Sequence, residues 1–157
     1  MYHKGNGTKK NIEKSILWAK KAADQGDVYA QNILAWIYAT SKNPGYRNGE
    51  LAVKYAMMAH SQKRDKWYIN SSLAAAYARD GQFEEAAITH KKAINLLRWD
   101  AEMPSDEKQR QLNESEVLLN LYQSGKAYDE GFDIGAEVKA QKERVKQDNK
   151  RFALLAE

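Results

Sequence analysis

Cysteine is absent from this 157-residue chain, which excludes disulfides and thiolate catalysis and leaves the redox compartment unread. Proline occurs only at Pro44 and Pro104, so little in the chain interrupts helix. No apolar run approaches the roughly 20 residues that a bilayer-spanning helix needs, so membrane insertion is not expected. The opening MYHKGNGTKK lacks the apolar centre of a signal peptide. As written the chain reads as cytoplasmic, or as periplasmic or secreted if an upstream signal segment has been removed. Histidine is scarce: His3, His60 and His90 lie far apart with no partner four residues away, which gives a metal site no support. No serine stands in a glycine elbow, and Gly5-Asn6-Gly7 has no following Gly-Lys-Ser/Thr to make a phosphate loop. These absences argue against an enzyme and against a cofactor.

Charge of one sign is also nearly lacking, with 25 basic residues against 21 acidic ones. The whole excess of +4 sits between Lys139 and Arg151, where six basic residues face Glu143 and Asp148. Mixed signs on a helix make a solvated face, whereas a nucleic-acid surface spreads basic residues among stacking aromatics. Nucleic acid is therefore not an expected partner.

What the chain does have is alanine at helical spacing and an internal repeat. Ser72 to Ile94 reads as two helices hinged at Gly81, with Leu73, Ala74, Tyr77 and Ala78 facing Phe83, Ala86, Ala87, Ala93 and Ile94. Small residues let helix axes approach, and the facing aromatics fill the space. Ser15, Ala52 and Ala86 recur at intervals of 37 and 34 residues, as do Ala22, Ala59 and Ala93. Leu34, Ala35, Tyr38 and Ala39 return 39 residues later as Leu73, Ala74, Tyr77 and Ala78. Further helices are expected over 28–40, 51–60 and 105–123, with Asn48 as a cap after the loop at Pro44-Gly45. Met57 and Met58 read as core fillers, and His90, between Thr89 and Lys91, reads as exposed.

In the central hairpin, Ala74, Tyr77, Gly81, Phe83, Ala86 and Ala93 resemble the signature of a tetratricopeptide repeat. At the start, Tyr2, Gly5, Gly7, Asn11, Lys14, Trp18, Ala22, Ala23 and Gly26 resemble the related Sel-one-like repeat, with Ser15 in place of its usual alanine. Tyr122, Gly125, Lys126 and Tyr128 resemble the closing segment of many bacterial tetratricopeptide arrays. The resemblance implies an all-α, right-handed α-solenoid of about three and a half helix-turn-helix repeats over residues 1–132. A long C-terminal closing helix over 133–157 would continue the last repeat. Met1-Tyr2 supply one turn where that family has a whole helix, so either upstream residues are missing or this edge is an interface.

The same resemblance implies a function and a surface. Members of the family bind proteins in a concave groove lined by the first helix of each repeat. Carried over, this gives Tyr29, Asn32, Trp36 and Thr40 from one repeat, and Tyr68, Ser71, Ala75 and Arg79 from the next. Asn113, Glu116, Asn120 and Gln123 follow from the last. Trp36 reads equally well as packing between repeats. The expected function is non-enzymatic protein binding, of a segment or domain of another protein, with adaptor and inhibitor or immunity roles both open. The alternative is a structural oligomerisation module. Ile134, Val138, Gln141, Val145, Asp148, Phe152 and Leu155 form a heptad seam that would either close the solenoid or pair two copies.

Overall fold

The computed structural model describes residues 9–155, and the regular structure among them is entirely helical. The helices are α1 (Lys9–Asp24), α2 (Val28–Thr40), α3 (Gly49–Gln62), α4 (Trp67–Arg79), α5 (Phe83–Arg98), α6 (Ser105–Gln123) and α7 (Ile134–Leu155). They form an α-solenoid of helical hairpins in which α2 pairs with α3 and α4 with α5, while α4 also packs on α2 and α3. The helices expected over 28–40 and 105–123 have those bounds, and Met1-Tyr2 lie outside the described residues.

Local chemistry sets the hairpins. At the end of α4 the Gly81 N–H donates to the Ala78 carbonyl (3.1 Å) and the Gln82 N–H to the Tyr77 carbonyl (2.8 Å). This crossed pair satisfies two orphan carbonyls and needs a left-handed residue, which Gly81 provides at φ 81°. Gly26 and Gly125 end α1 and α6 by the same two bonds. At the other ends, Asp27 caps α2 by accepting from the Ala30 N–H (2.7 Å), and Asn48 caps α3 by accepting from the Leu51 N–H (2.9 Å). The loop between α2 and α3 contains a single 3₁₀ turn, Pro44–Tyr46.

Alanine fills the contacts. One apolar cluster joins Ala19, Ala23, Leu34, Ala35, Ala39, Ala52, Tyr55, Ala56, Leu73 and Ala76 from α1 to α4. A second joins Ala74, Ala78 and Ala86 to Leu118 and Tyr122, with Tyr128 and Ile134 against it. Helix α4 lies between them and is buried from Ile69 to Ala76. The tightest approach is at Gly49, where a Cβ would stand 2.7 Å from the Asp80 Cα and 2.9 Å from the Arg79 carbonyl oxygen.

Three expectations need correction. His90 is fully buried: its Nε2 lies 3.0 Å from the Ser115 carbonyl oxygen, and its ring meets Tyr122 edge-on with centroids 5.4 Å apart. It shares the inward stripe of Ala86, Ala93, Ile94 and Leu97, which outweighs its polar neighbours in sequence. Met57 is exposed and accepts the Tyr77 hydroxyl on its sulfur (3.5 Å) instead of filling core. Before α7, Asp129 accepts from the Gly131 N–H (2.9 Å) in a local turn, and Asp133 caps the helix by accepting from the Ala136 N–H (2.9 Å), so α7 starts at Ile134. The heptad seam is divided: Val138, Gln141 and Val145 face α6, whereas Phe152 and Leu155 are 70% and 76% exposed.

Two outcomes test this packing. Gly49→Ala places a methyl against backbone that cannot rotate away, so a loss of about 1–3 kcal/mol is expected in urea unfolding. An unchanged midpoint would show that α3 and α4 stand further apart. His90 supplies a pH test. Burial holds it neutral, lowering its pKa from 6.5 to about 4. The unfolded chain then takes up a proton that the folded chain refuses, so stability falls as pH drops from 6.5 toward 4 and levels off below. The single group contributes on the order of 3 kcal/mol across that window. Urea titrations from pH 7 to pH 4 should show a steeper loss for the native chain than for His90→Phe, and parallel curves would disprove the assignment.

Candidate functional site

Helices α2 and α4 each present a stripe with one residue per turn. On α2 it is Tyr29, Asn32, Trp36 and Thr40, and on α4 it is Tyr68, Ser71, Ala75 and Arg79. The stripes differ in access along their length. Asn32 and Ser71, in the middle, are each only 6% exposed, and the Asn32 side-chain oxygen has no hydrogen-bond partner. The N-terminal end is open: Tyr29 is 54% exposed beside the exposed Ile33. The Lys63 ammonium donates to the Tyr29 hydroxyl (3.2 Å) and lies 4.8 Å from its ring centroid. That hydrogen bond is the first cause of a lowered Tyr29 pKa, with the Tyr68 hydroxyl a second neighbour.

The C-terminal end of the stripes is covered by the chain itself. Residues 127–133, between α6 and α7, cross it as a non-helical strap that turns after Asp129. The Arg79 guanidinium donates from Nε to the Ala39 carbonyl (2.7 Å) and from Nη2 to the Tyr128 carbonyl (3.0 Å). The Glu130 N–H donates to the Thr40 carbonyl (2.8 Å). Trp36 donates its indole N–H to the Glu130 carboxylate (3.2 Å) and meets the Tyr128 ring at a centroid distance of 6.0 Å. Asp129 pairs with Arg47, which arrives from the loop after α2 (3.3 Å). Carbonyls at the end of α2 are thus satisfied by a side chain of α4 and a backbone amide of the strap.

Charge at this end is finely set. Burial first, and then the neighbouring Arg47, press the Arg79 guanidinium below its ordinary pKa, while Asp129 pulls the other way. Tyr128 is pushed up to about 12, by burial first and then by Glu130, Glu114 and Asp129, so it stays neutral. Trp36 and Arg79 are therefore brought together through the strap. Arg47, Tyr128, Asp129 and Glu130 were missed as site residues in the sequence. Their signal was Tyr-Asp-Glu-Gly-Phe, two aromatics around two acids and a glycine, hidden by a long stretch without proline.

The α6 residues stand apart. Asn113 and Glu116 line a cleft of about 300 Å³ with Val138, Gln141, Lys142, Val145 and Lys146 of α7. Asn113 accepts from the Gln109 side chain (3.0 Å), and Asn120 is exposed beyond the cleft. No described helix is long and apolar enough to cross a membrane.

Trp36→Ala tests the account of the strap. Amide exchange at Glu130 should accelerate at least tenfold, while amides within α4 keep their protection. Equal loss throughout α2 and α4 would make Trp36 a core residue instead.

Comparison with known proteins agrees with the repeat geometry at the start of the chain. The Sel1 repeat model matches residues 1–27 and 28–59; the second match spans α2 and most of α3, and the first contains the described part of α1. No curated protein and no solved structure matches the chain. Sel1 repeats generally mediate protein–protein interaction and serve as non-catalytic scaffolds. Two consecutive Sel1 repeats thus match residues 1–59, and a third helical hairpin, α4 with α5, follows them.

Proposed function

We propose that this chain is a non-catalytic protein-binding module that recognises its partner along the α2/α4 stripe. Tyr29 and Tyr68 form its open end, Asn32 and Ser71 its buried floor, and Trp36 and Arg79 the end that the strap covers, while Asn113, Glu116 and Asn120 form a separate patch on α6. Residues 1–132 act as the binding unit and 133–157 as its closing helix. The observation that carries this reading is the open end of the stripe, where Tyr29 and Ile33 stand exposed beside the Lys63 ammonium. A rigid aromatic beside an aliphatic side chain and a cation offers large contact area at small entropic cost, the usual make-up of an energetic hot spot. Such a surface serves an adaptor or an inhibitor equally well.

The test is capture of the partner on immobilised protein, followed by binding measurements with the Tyr29→Ala/Ile33→Ser variant. Both side chains are exposed, so far-UV circular dichroism should be unchanged while affinity falls at least tenfold, about 1.4 kcal/mol or more. Unchanged affinity would remove the stripe as the binding surface.

A second reading has its own observation. Phe152, Leu154 and Leu155 are exposed at the end of α7, suiting it to pair with a second copy of the chain. Sedimentation should then show dimers that Phe152→Lys/Leu155→Lys abolishes, and a monomer at high concentration would dismiss it.

A further inference from the structure

The strap over the end of α2 and α4 is a non-helical segment with a turn after Asp129, held by a repeat surface, and its chemistry is specific. Two of its contacts ask only for a polypeptide backbone: Arg79 donates to the Tyr128 carbonyl, and the Thr40 carbonyl accepts the Glu130 N–H. The others select side chains. Trp36 meets an aromatic ring at a tilted angle of 43° and offers its indole N–H to a carboxylate, and Arg47 takes a second carboxylate. With the strap lifted, Arg47 and Arg79 would be left as neighbouring guanidiniums without Asp129. Two partly buried like charges favour any anionic replacement.

The strap is also built to leave. Its single ion pair is partly solvated, with side chains 21% and 34% exposed, and such pairs contribute little individually. Glu130, Gly131 and Phe132 are exposed, and no residue of α7 is buried. Release of the strap would leave the first apolar cluster covered and open the second only where Ala127 and Tyr128 border it.

We propose that the strap is an intramolecular stand-in for the partner. The partner presents a short segment with an aromatic residue followed by two acidic residues, and this segment displaces Tyr128–Glu130 from Trp36, Arg47, Arg79 and Thr40. The inference rests on the α2/α4 binding reading and names the partner's chemistry. Because the strap is tethered, its effective concentration is of millimolar order, and an external segment binds more weakly by the fraction of closed molecules. The strap thus sets a threshold that weak acidic segments do not pass.

The probe is a fluorescein-labelled peptide copying residues 127–133, read by anisotropy on the full chain. Tyr128→Ser/Asp129→Ser/Glu130→Ser opens the strap and should bind the peptide at least tenfold more tightly than the native chain. Adding Arg47→Glu should abolish that gain, and replacing the peptide's acids with their amides should weaken binding at least tenfold. A second peptide with phenylalanine-glutamate-aspartate in place of tyrosine-aspartate-glutamate should bind within about threefold, as expected for side chains of one chemical class. Binding confined to the strap's own sequence would make the occupant a second copy of this chain and would overturn the proposal. So would an opened, folded variant that binds no better than the native chain, which would leave the strap as a cap only. If the opened variant does not fold, amide exchange in the native chain decides. Millimolar peptide should accelerate exchange at Glu130 at least threefold, and no change overturns the displacement. Failure here with partner capture still dependent on Tyr29 removes the strap's role alone, whereas loss of that dependence removes the binding reading itself.

Discussion

Close approach of helix α4 to its neighbours is the constraint on which the rest of the structure depends. Its residues from Ile69 to Ala76 are buried, and four of its contact positions are alanine, so the helices around it meet nearly backbone to backbone. Gly49 completes the arrangement by letting the start of α3 touch the end of α4, where even a methyl group would collide with main chain. Side chains this small leave little apolar area per residue, so stability comes from the number and closeness of contacts. Large groups are used sparingly at the seams, as where His90 and Tyr122 join α5 to α6.

The same close packing places Arg79. It ends the buried stripe of α4 and reaches across to the last turn of α2 and to the strap, bridging two helices and a connecting segment with one planar group. A guanidinium suits the position because its fork of donors can serve carbonyls in two directions at once. The core therefore positions a cation at one end of the α2/α4 surface and leaves aromatic side chains at the other. Protein binding is the general activity of Sel1 repeats.

Helix α7 divides into two parts with different environments. Its first half packs its apolar edge along α6, while its last turns carry Phe152, Leu154 and Leu155 into solvent. A heptad pattern alone does not distinguish these halves, because it reports which residues share a face and not what lies opposite. The excess positive charge falls on the same helix, spread among acidic residues that pair with it, as Arg144 does with Glu137 and Lys146 with Glu143.

By itself, the sequence determined the repeat. Glycines at 26, 81 and 125, alanines at recurring intervals and caps at Asp27 and Asn48 are local or periodic signals, and hairpins follow from them because each acts within a few residues. The stripe of candidate residues came from the repeat resemblance, and helical spacing explains why Tyr29 and Trp36 share one face of α2 and Tyr68 and Arg79 one face of α4. Only the tertiary structure decided which of these remain open. Trp36 and Glu130 are 94 residues apart in sequence, and Arg47 and Asp129 are 82 apart. No periodicity encodes a contact across that separation, which exists only once the intervening helices have stacked and carried the strap back to the end of α2. His90 was misjudged for a related reason: its polar neighbours described its sequence surroundings, whereas helix geometry turned it toward α6 and burial fixed its charge state.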